Sequence, residues 1–454
     1  MSRRHSLCLI LALGLAFIFG KPASAGEPIP SMGWRGDGSG RFAARPPQTW
    51  SKTASVAWKT ELPGRGYSSP VFHNGRLFIT AEPTLILCVD AATGEILWRQ
   101  SADYETALGP EKAAEIKATQ TRLEDEKRTL QKRYEAARKS DPAAAETEEL
   151  KQQVAAADEK KDAYERQFPN EKRGGAGNAA GTPICAGKRL FVAFGSGVVA
   201  ALELDGKLLW SRHVEGPRDG FGHSASPVLA DGKVIVHYQN LVALAAEDGK
   251  EVWRQPLSAK FGTSAVVTID GEPVLISPAG AIVRAADGRI LAERQFELSN
   301  NSPVLHEGVL VTHGSGKVQA FQLPKSLTSP FKLELLWEAN GTREQRMASA
   351  VCHNGLVYAV TRNGQLEVTD LKLGTLAYRR RLEIGEVFSS LVVADNRLYI
   401  CGNEGKTLVL RPGREYEELA VNEADRIHSS PLCVGTQLFV RSERSLICWG
   451  RTAK

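Results

Sequence analysis

The chain has too few cysteines, in the wrong places, for the common metal and dithiol frames. Seven are spread over 454 residues, with no adjacent pair and no Cys-x-x-Cys spacing, so no zinc knuckle or redox motif is written in them. An excess of one charge sign is also missing. Fifty-seven Lys and Arg against 52 Asp and Glu leave +5, and Arg3, Arg4 and Lys21 contribute three of those charges, so losing them would leave +2. That balance implies no polyanion-binding surface and no nucleic-acid partner. The catalytic signatures Gly-x-Ser-x-Gly and His-Glu-x-x-His and a phosphate loop are absent. Long apolar runs are scarce too. The one at Leu7 to Phe19 has about 13 residues, short of the roughly 20 needed to span a bilayer.

That run follows Arg3 and Arg4 and precedes Ala23-Ser24-Ala25, the order of a cleavable export signal. Residues 1–25 are expected to be a signal peptide, with the mature chain starting near Gly26, periplasmic or secreted and without an integral span. Cys8 lies inside the apolar run and no cysteine follows the cut, so the mature protein is expected to carry no lipid. Of the six remaining cysteines, Cys88 and Cys448 share one repeat position, and Cys185, Cys352 and Cys433 lie near another. Both positions fall in apolar strands and read as buried small side chains.

What the chain does have is a repeat. A Ser-Pro-like start, an apolar strand, a Gly turn, two more strands, an Asp-Gly or Thr-Gly turn and a Trp recur, most plainly from Ser69-Pro70 to Thr93-Gly94 and Trp98. Further copies begin at Thr182-Pro183, Ser226-Pro227, Ser264-Ala265, Ser302-Pro303, Ser349-Ala350, Ser390-Leu391 and Ser430-Pro431. Apart from the first gap the starts are about 38 to 47 residues apart, the period of a unit that must stack on copies of itself. Four strands per unit and eight units describe an all-β, eight-bladed β-propeller. The eighth copy ends after its third strand at Trp449, while an orphan fourth-strand phrase, Val56-Ala57-Trp58-Lys59, precedes the first. The N-terminal strand is therefore expected to complete the last blade and remove an open edge.

Trp58, Trp98, Trp210, Trp253 and Trp337 share the fourth-strand position and read as packing between blades, each N–H on a backbone partner. Ala292, Tyr378 and Ala420 replace the Trp in blades four, six and seven, whose seams should be looser. The Ala-Ala-Thr-Gly-Glu-Ile-Leu-Trp of residues 91–98, the Glu-Asp-Gly-Lys-Glu-Val-Trp of residues 247–253 and the Ser-Ser-Pro starts resemble the repeat of PQQ-like propellers. That family includes quinoprotein alcohol dehydrogenases and the BamB propeller subunit of the outer-membrane β-barrel assembly machine. The dehydrogenase branch implies PQQ on the ring axis, a calcium ion with Glu and Asn ligands, an adjacent Cys-Cys pair and a catalytic Asp. With no adjacent cysteines and no Glu, Asn and Asp set on matching motifs, neither PQQ nor calcium is expected here.

The first two repeat starts are about 70 residues further apart than the rest, an excess that makes room for an inserted element. Across residues 103–172 the Ala, Glu, Lys, Gln and Arg content is high. Ile116, Leu123, Leu130 and Ala137 recur every seven, and Leu150, Val154, Ala157, Lys161, Tyr164 and Phe168 follow a 4-3-4-3-4 spacing, with a break at Ser140-Asp141-Pro142. This predicts a helical coiled-coil hairpin of two helices, each about 25 residues and about 38 Å long, with apolar residues sufficient only for its own seam. The propeller then comprises residues 26–102 (lead-in, closing strand and blade 1) and 173–454 (blades 2–8). Strand alternation puts the hairpin on the ring face that also carries the turns between strands two and three.

No catalytic or metal site emerges. His73, His306 and His353 are one turn position in blades one, five and six, Ser196 lies in a strand turn with no base beside it, and Asp37-Gly38-Ser39-Gly40 reads as a turn. Candidates for binding are the residues just before each repeat start, where the first strands open into the mouth: Arg65, Tyr67, Asn178, His223, Lys260, Phe261, Asn300, Arg346, Phe388, Arg426 and His428. Their mix suits an anionic small molecule or an acidic peptide, with Asp219, Glu386 and Asp425 diluting the field. The sequence thus points to an exported, non-catalytic scaffold for an envelope or secreted protein partner. A PQQ-dependent dehydrogenase and a small-ligand or carbohydrate binder at the channel mouth are the alternatives.

Overall fold

The computed structural model describes residues 32–170, 175–217, 221–257, 261–327 and 331–450; the signal peptide expected at 1–25 and Lys260 lie outside them. Eight sheets form the propeller, and the antiparallel strands of each blade run in chain order from inner to outer except in blade 8, whose outer strand comes from the N-terminal segment. Blade 1 is Val71–His73, Arg76–Ala81, Leu85–Asp90 and Ile96–Ser101. The two middle strands are almost wholly buried because neighbouring blades cover both faces, whereas outer strands alternate with solvent. Inner turns such as Asn74-Gly75 place two successive residues at φ 48° and 76°, the geometry of a two-residue hairpin, for which Asn-Gly is suited.

The N-terminal strand closes the ring. Val56–Glu61 pairs antiparallel with Ser445–Trp449 as the outer strand of blade 8, Glu61 opposite Ser445 and Lys59 opposite Ile447. A second N-terminal piece was not foreseen. Arg41–Phe42 adds in parallel to the inner strand of blade 7, Arg41 opposite Val393, which makes that blade five-stranded.

Each of the five Trp residues reaches across a seam. Their indole N–H groups donate to Ala91, Leu204, Ala246, Ala285 and Leu371 carbonyls of the following blade at 2.8–3.1 Å. Each ring lies on the turn glycine of that blade. At Gly249, with φ +73°, a Cβ would stand 2.6 Å from the Trp210 ring, so the turn and the indole demand the same residue. Trp253→Ala should cost about 3 kcal/mol, the low end for a large aromatic truncation, measured as a shift in the denaturant midpoint. A change below about 1 kcal/mol would mean the ring is not a seam residue. The blade 7–8 seam, expected to be loose, is filled instead by Trp50 from the lead-in, 6.2 Å from the Tyr399 ring and 5.6 Å from Trp449.

The insertion is helical. After a short helix, α1 (Tyr104–Leu108), α2 spans Pro110–Ser140 and α3 spans Ala145–Glu165, 31 and 21 residues, so the arms are less equal than the spacing predicts. Lys127–Asp158, Lys160–Glu126 and Lys161–Glu124 pair across them. The base is not independent of the ring, contrary to expectation. Ile116 is fully buried in one cluster with Tyr104, Phe168 and blade 2 residues Phe194 and Val198. The Tyr104 hydroxyl lies 2.7 Å from the Pro169 carbonyl and 3.0 Å from that of Ser196, and Phe168 stacks on His213 at 4.9 Å. The apolar periodicity therefore serves two contacts: the inter-helix seam in the far half and a dock on blade 2 at the base.

Candidate functional site

The eight repeat starts meet at the axis in a closed belt. Ser69 N–H donates to the Thr182 hydroxyl, Thr182 to Ser226, Ser226 to Thr263, Thr263 to Ser302, Ser302 to Ser349, Ser349 to Ser390, Ser390 to Ser430, and Ser430 back to Ser69, all at 2.9–3.1 Å. In blade 4 the belt residue is Thr263, so the repeat start read at Ser264 is one residue late. The belt explains why every start carries a hydroxyl. A backbone N–H turned toward the axis has no strand partner, and the next blade's side chain satisfies it. Ser349→Ala should leave the Ser302 N–H buried without an acceptor and cost about 1–3 kcal/mol. Thermal denaturation checks this, with Ser349→Thr expected to restore stability.

Below the belt the chain's own lead-in fills the axis. Met32 exchanges both backbone hydrogen bonds with Cys185 in blade 2 at 2.8–2.9 Å. Arg35 Nη2 donates to the carbonyls of Ala350 in blade 6 and Leu391 in blade 7, both at 2.8 Å. Gly40 accepts from Val393, and Arg41 Nη1 lies 3.0 Å from His306 Nδ1 in blade 5. Blades 2 and 6 face each other across an eight-membered ring, so a segment that touches both crosses the channel. Burial pushes Arg35 down to about 10, and its guanidinium is held over the Trp34 ring at 5.2 Å. The Asp37–Ser39 stretch is a turn, as read, closed by Ser39 N–H on Asp37 Oδ1.

The plug turns the channel mouth into a blind cup of about 610 Å³. Trp34, all eight belt residues and a rim of Tyr67, Phe221, Phe261, Asn300, Gln345, Met347, Arg362, Phe388 and His428 line it. On one side the rings form a row of tilted contacts, with His428 4.6 Å from Tyr67 and 4.9 Å from Phe388, and Arg362 5.4 Å over Phe388. Burial lowers the His428 pKa from its ordinary value.

Of the mouth residues named from sequence, Tyr67, Phe261, Asn300, Phe388 and His428 line the cup; Arg65, Asn178, His223, Arg346 and Arg426 do not. Arg346 is buried against Glu367 and donates to the Thr342 carbonyl, a structural cation. Arg426 pairs with Glu404 at 3.0 Å on the surface. Asn178 is buried, its backbone N–H on Glu82 Oε1. His223 is buried beside Tyr238 at 4.4 Å, and Arg65 lies outside the cup wall. The sequence reading missed Trp34, Phe221, Gln345, Met347 and Arg362. Glu386 and Asp425, expected to dilute the basic field, are each in an ion pair, Glu386 with Arg362 at 2.8 Å and Asp425 with Lys59 at 2.9 Å.

A calcium-bound quinone does not fit this site. The described lining contains no carboxylate, the axis below it is occupied by residues 32–42, and the six cysteines stand apart as free, buried thiols. Burial raises the thiols, as at Cys401, pushed up to about 11.

A family model described as outer membrane protein assembly factor BamB matches residues 48–132 and 149–329, more than half of the chain. The chain belongs to that family. The break in the match, residues 133–148, falls at the far end of the helical hairpin. Among relatives, outer membrane protein assembly factor BamB of Salmonella typhimurium is 24% identical over 298 residues, 59% of this chain and 72% of that protein. The Yersinia pestis protein of the same name is 21% identical over 245 residues, 51% of this chain. The match spans 61% of the Yersinia protein's length, under two thirds of it. The crystal structure of BamB from Moraxella catarrhalis superposes with a TM-score of 0.55 at 10% identity, covering 88% of this chain and 98% of that one. Quinohemoprotein alcohol dehydrogenase from Comamonas testosteroni gives the same TM-score and identity, covering 88% of this chain and 77% of that one. The two scores are equal, so the fold does not choose between assembly factor and dehydrogenase.

Proposed function

We propose that this BamB-family chain is an exported, non-catalytic scaffold of the cell envelope that holds a protein partner of outer-membrane protein assembly on its hairpin-bearing face. The observation that carries the reading is the axis: where a propeller enzyme would keep its reacting groups, this chain inserts residues 32–42 and anchors them with the buried Arg35. The family supports the partner class, and the Arg3 to Ala25 leader pattern supports export. The hairpin leaves the ring between the outer strand of blade 1 and the first strand of blade 2, and strand alternation supports putting it on the side where the first strands begin. Among the described residues, no helix is long and apolar enough to cross a membrane.

The test must spare the hairpin's docked base. Residues 125–160 are replaced by a short Gly-Ser link joining Glu124 to Lys161, which already pair at 3.1 Å. Shortening a surface connection changes closure entropy by only about 0.6 kcal/mol per doubling of length, so the melting temperature should hold nearly constant. Co-purification of outer-membrane assembly proteins from native envelopes should be lost. Retention of every partner by the shortened chain would show that the arm is not the docking element. Incubation with PQQ and calcium should leave no chromophore after desalting, and a retained chromophore would overturn the non-catalytic reading.

A further inference from the structure

The cup offers more than a route to the axis. Each belt hydroxyl accepts one backbone N–H and keeps its own proton to donate, yet none of the eight donates to an acceptor among the described residues. All eight line the cup. The wall is thus a ring of donors, presented at every azimuth by the propeller's symmetry. A hydrocarbon guest would leave those donors unmet.

Above the donors the surface is aromatic. Tyr67, His428 and Phe388 form the continuous row on one side, Phe221 and Phe261 lie on the rim, and Trp34 closes the floor. Among the described residues the lining carries no carboxylate, and its one guanidinium, that of Arg362, is tied to Glu386. Asn300 adds an amide acceptor at the rim. The matching guest is uncharged, has flat C–H faces for the rings and carries oxygens around its edge. A pyranose ring has that chemistry, and the cup volume lies within the span of small-ligand pockets, about 300–1,000 Å³. We propose that the cup is a binding site for a neutral carbohydrate of one or two pyranose rings, the donor belt supplying affinity and the uneven rim supplying selectivity. This goes beyond the scaffold reading and does not depend on it, because the hairpin truncation leaves the cup untouched.

The mature chain is titrated with maltose, cellobiose and N,N′-diacetylchitobiose by calorimetry and saturation-transfer NMR, with the tripeptide Gly-Phe-Gly as competing class. At least one disaccharide should bind saturably and quench Trp fluorescence. Phe388→Ala and Asn300→Ala should each weaken binding about tenfold, the loss of one stacking or hydrogen-bonding partner, with the melting temperature unchanged in at least one of the two. No saturable signal from any of the three sugars up to about 10 mM, a concentration that would register even millimolar affinity, overturns the proposal. So does undiminished binding in both variants, or tripeptide binding that no sugar displaces. Partner capture by the truncated chain is read separately, so neither result can stand in for the other.

Discussion

A chain lacking residues 32–62 should be insoluble and show no cooperative melt. Two supports are lost together. Without Val56–Glu61, the Ser445–Trp449 strand, buried along its whole length, becomes an open edge of unpaired N–H and C=O groups, a template for pairing with other chains. Trp50 also leaves the blade 7–8 seam, exposing Tyr399 and Trp449, and the axis loses Met32, Arg35 and Arg41 from inner strands of blades 2, 5, 6 and 7. These losses fall together on a fold whose total stability is typically only about 5–15 kcal/mol. A narrower deletion, residues 32–50, separates the supports: the closing strand remains, so this chain should be soluble with a lowered melting temperature. A soluble 32–62 deletion with a single sharp transition would show that ring closure does not depend on the N-terminal strand.

That experiment concerns the part of the molecule the sequence shows least. The blades, their number and the closing strand were readable because a repeat states the same physics eight times; any one copy is ambiguous, and the alignment of all eight is not. The plug appears once. Nothing in Trp34-Arg35-Gly36 sets it apart from other polar lead-ins, and only the three-dimensional course shows that a Cβ on Gly40 would strike the Arg35 guanidinium. The cup was half legible. Position before the repeat start identified Tyr67, Phe261, Asn300, Phe388 and His428, but not which basic residues turn inward. The buried Arg346 and surface Arg426 occupy similar places in the repeat and differ in the neighbour each meets, Glu367 or Glu404. The hydroxyl belt was in plain view as the Ser or Thr of each start. Its role was missed because a Ser before Pro also reads as an ordinary turn residue.

Acidification should destabilise the protein steeply between pH 7 and 5, through histidines that no function uses. His223 and His237 are both buried, and desolvation is the main cause that pushes them down to about 3 and about 4, their mutual repulsion adding to the shift at His223. His237 Nε2 is committed to the Leu257 carbonyl at 2.7 Å, and its Nδ1 has no partner among the described residues, so a second proton there would be buried and unmet. The unfolded chain binds protons with a pKa near 6.5 and the folded chain does not, so stability is fully present above that value and is lost as pH falls toward the folded-state values. At pH 5 the loss is about 2 kcal/mol for each of the two histidines. His313, also fully buried and held well below its ordinary value by desolvation and the Arg346 charge, adds in the same direction. Denaturant midpoints at pH 7.5 and 5.0 measure the effect. The double variant His223→Gln, His237→Gln should be less stable at pH 7.5, yet lose less on acidification than the parent chain. Equal midpoints for the parent at the two pH values would mean that water reaches these rings and that the seam beside Tyr238 opens in solution.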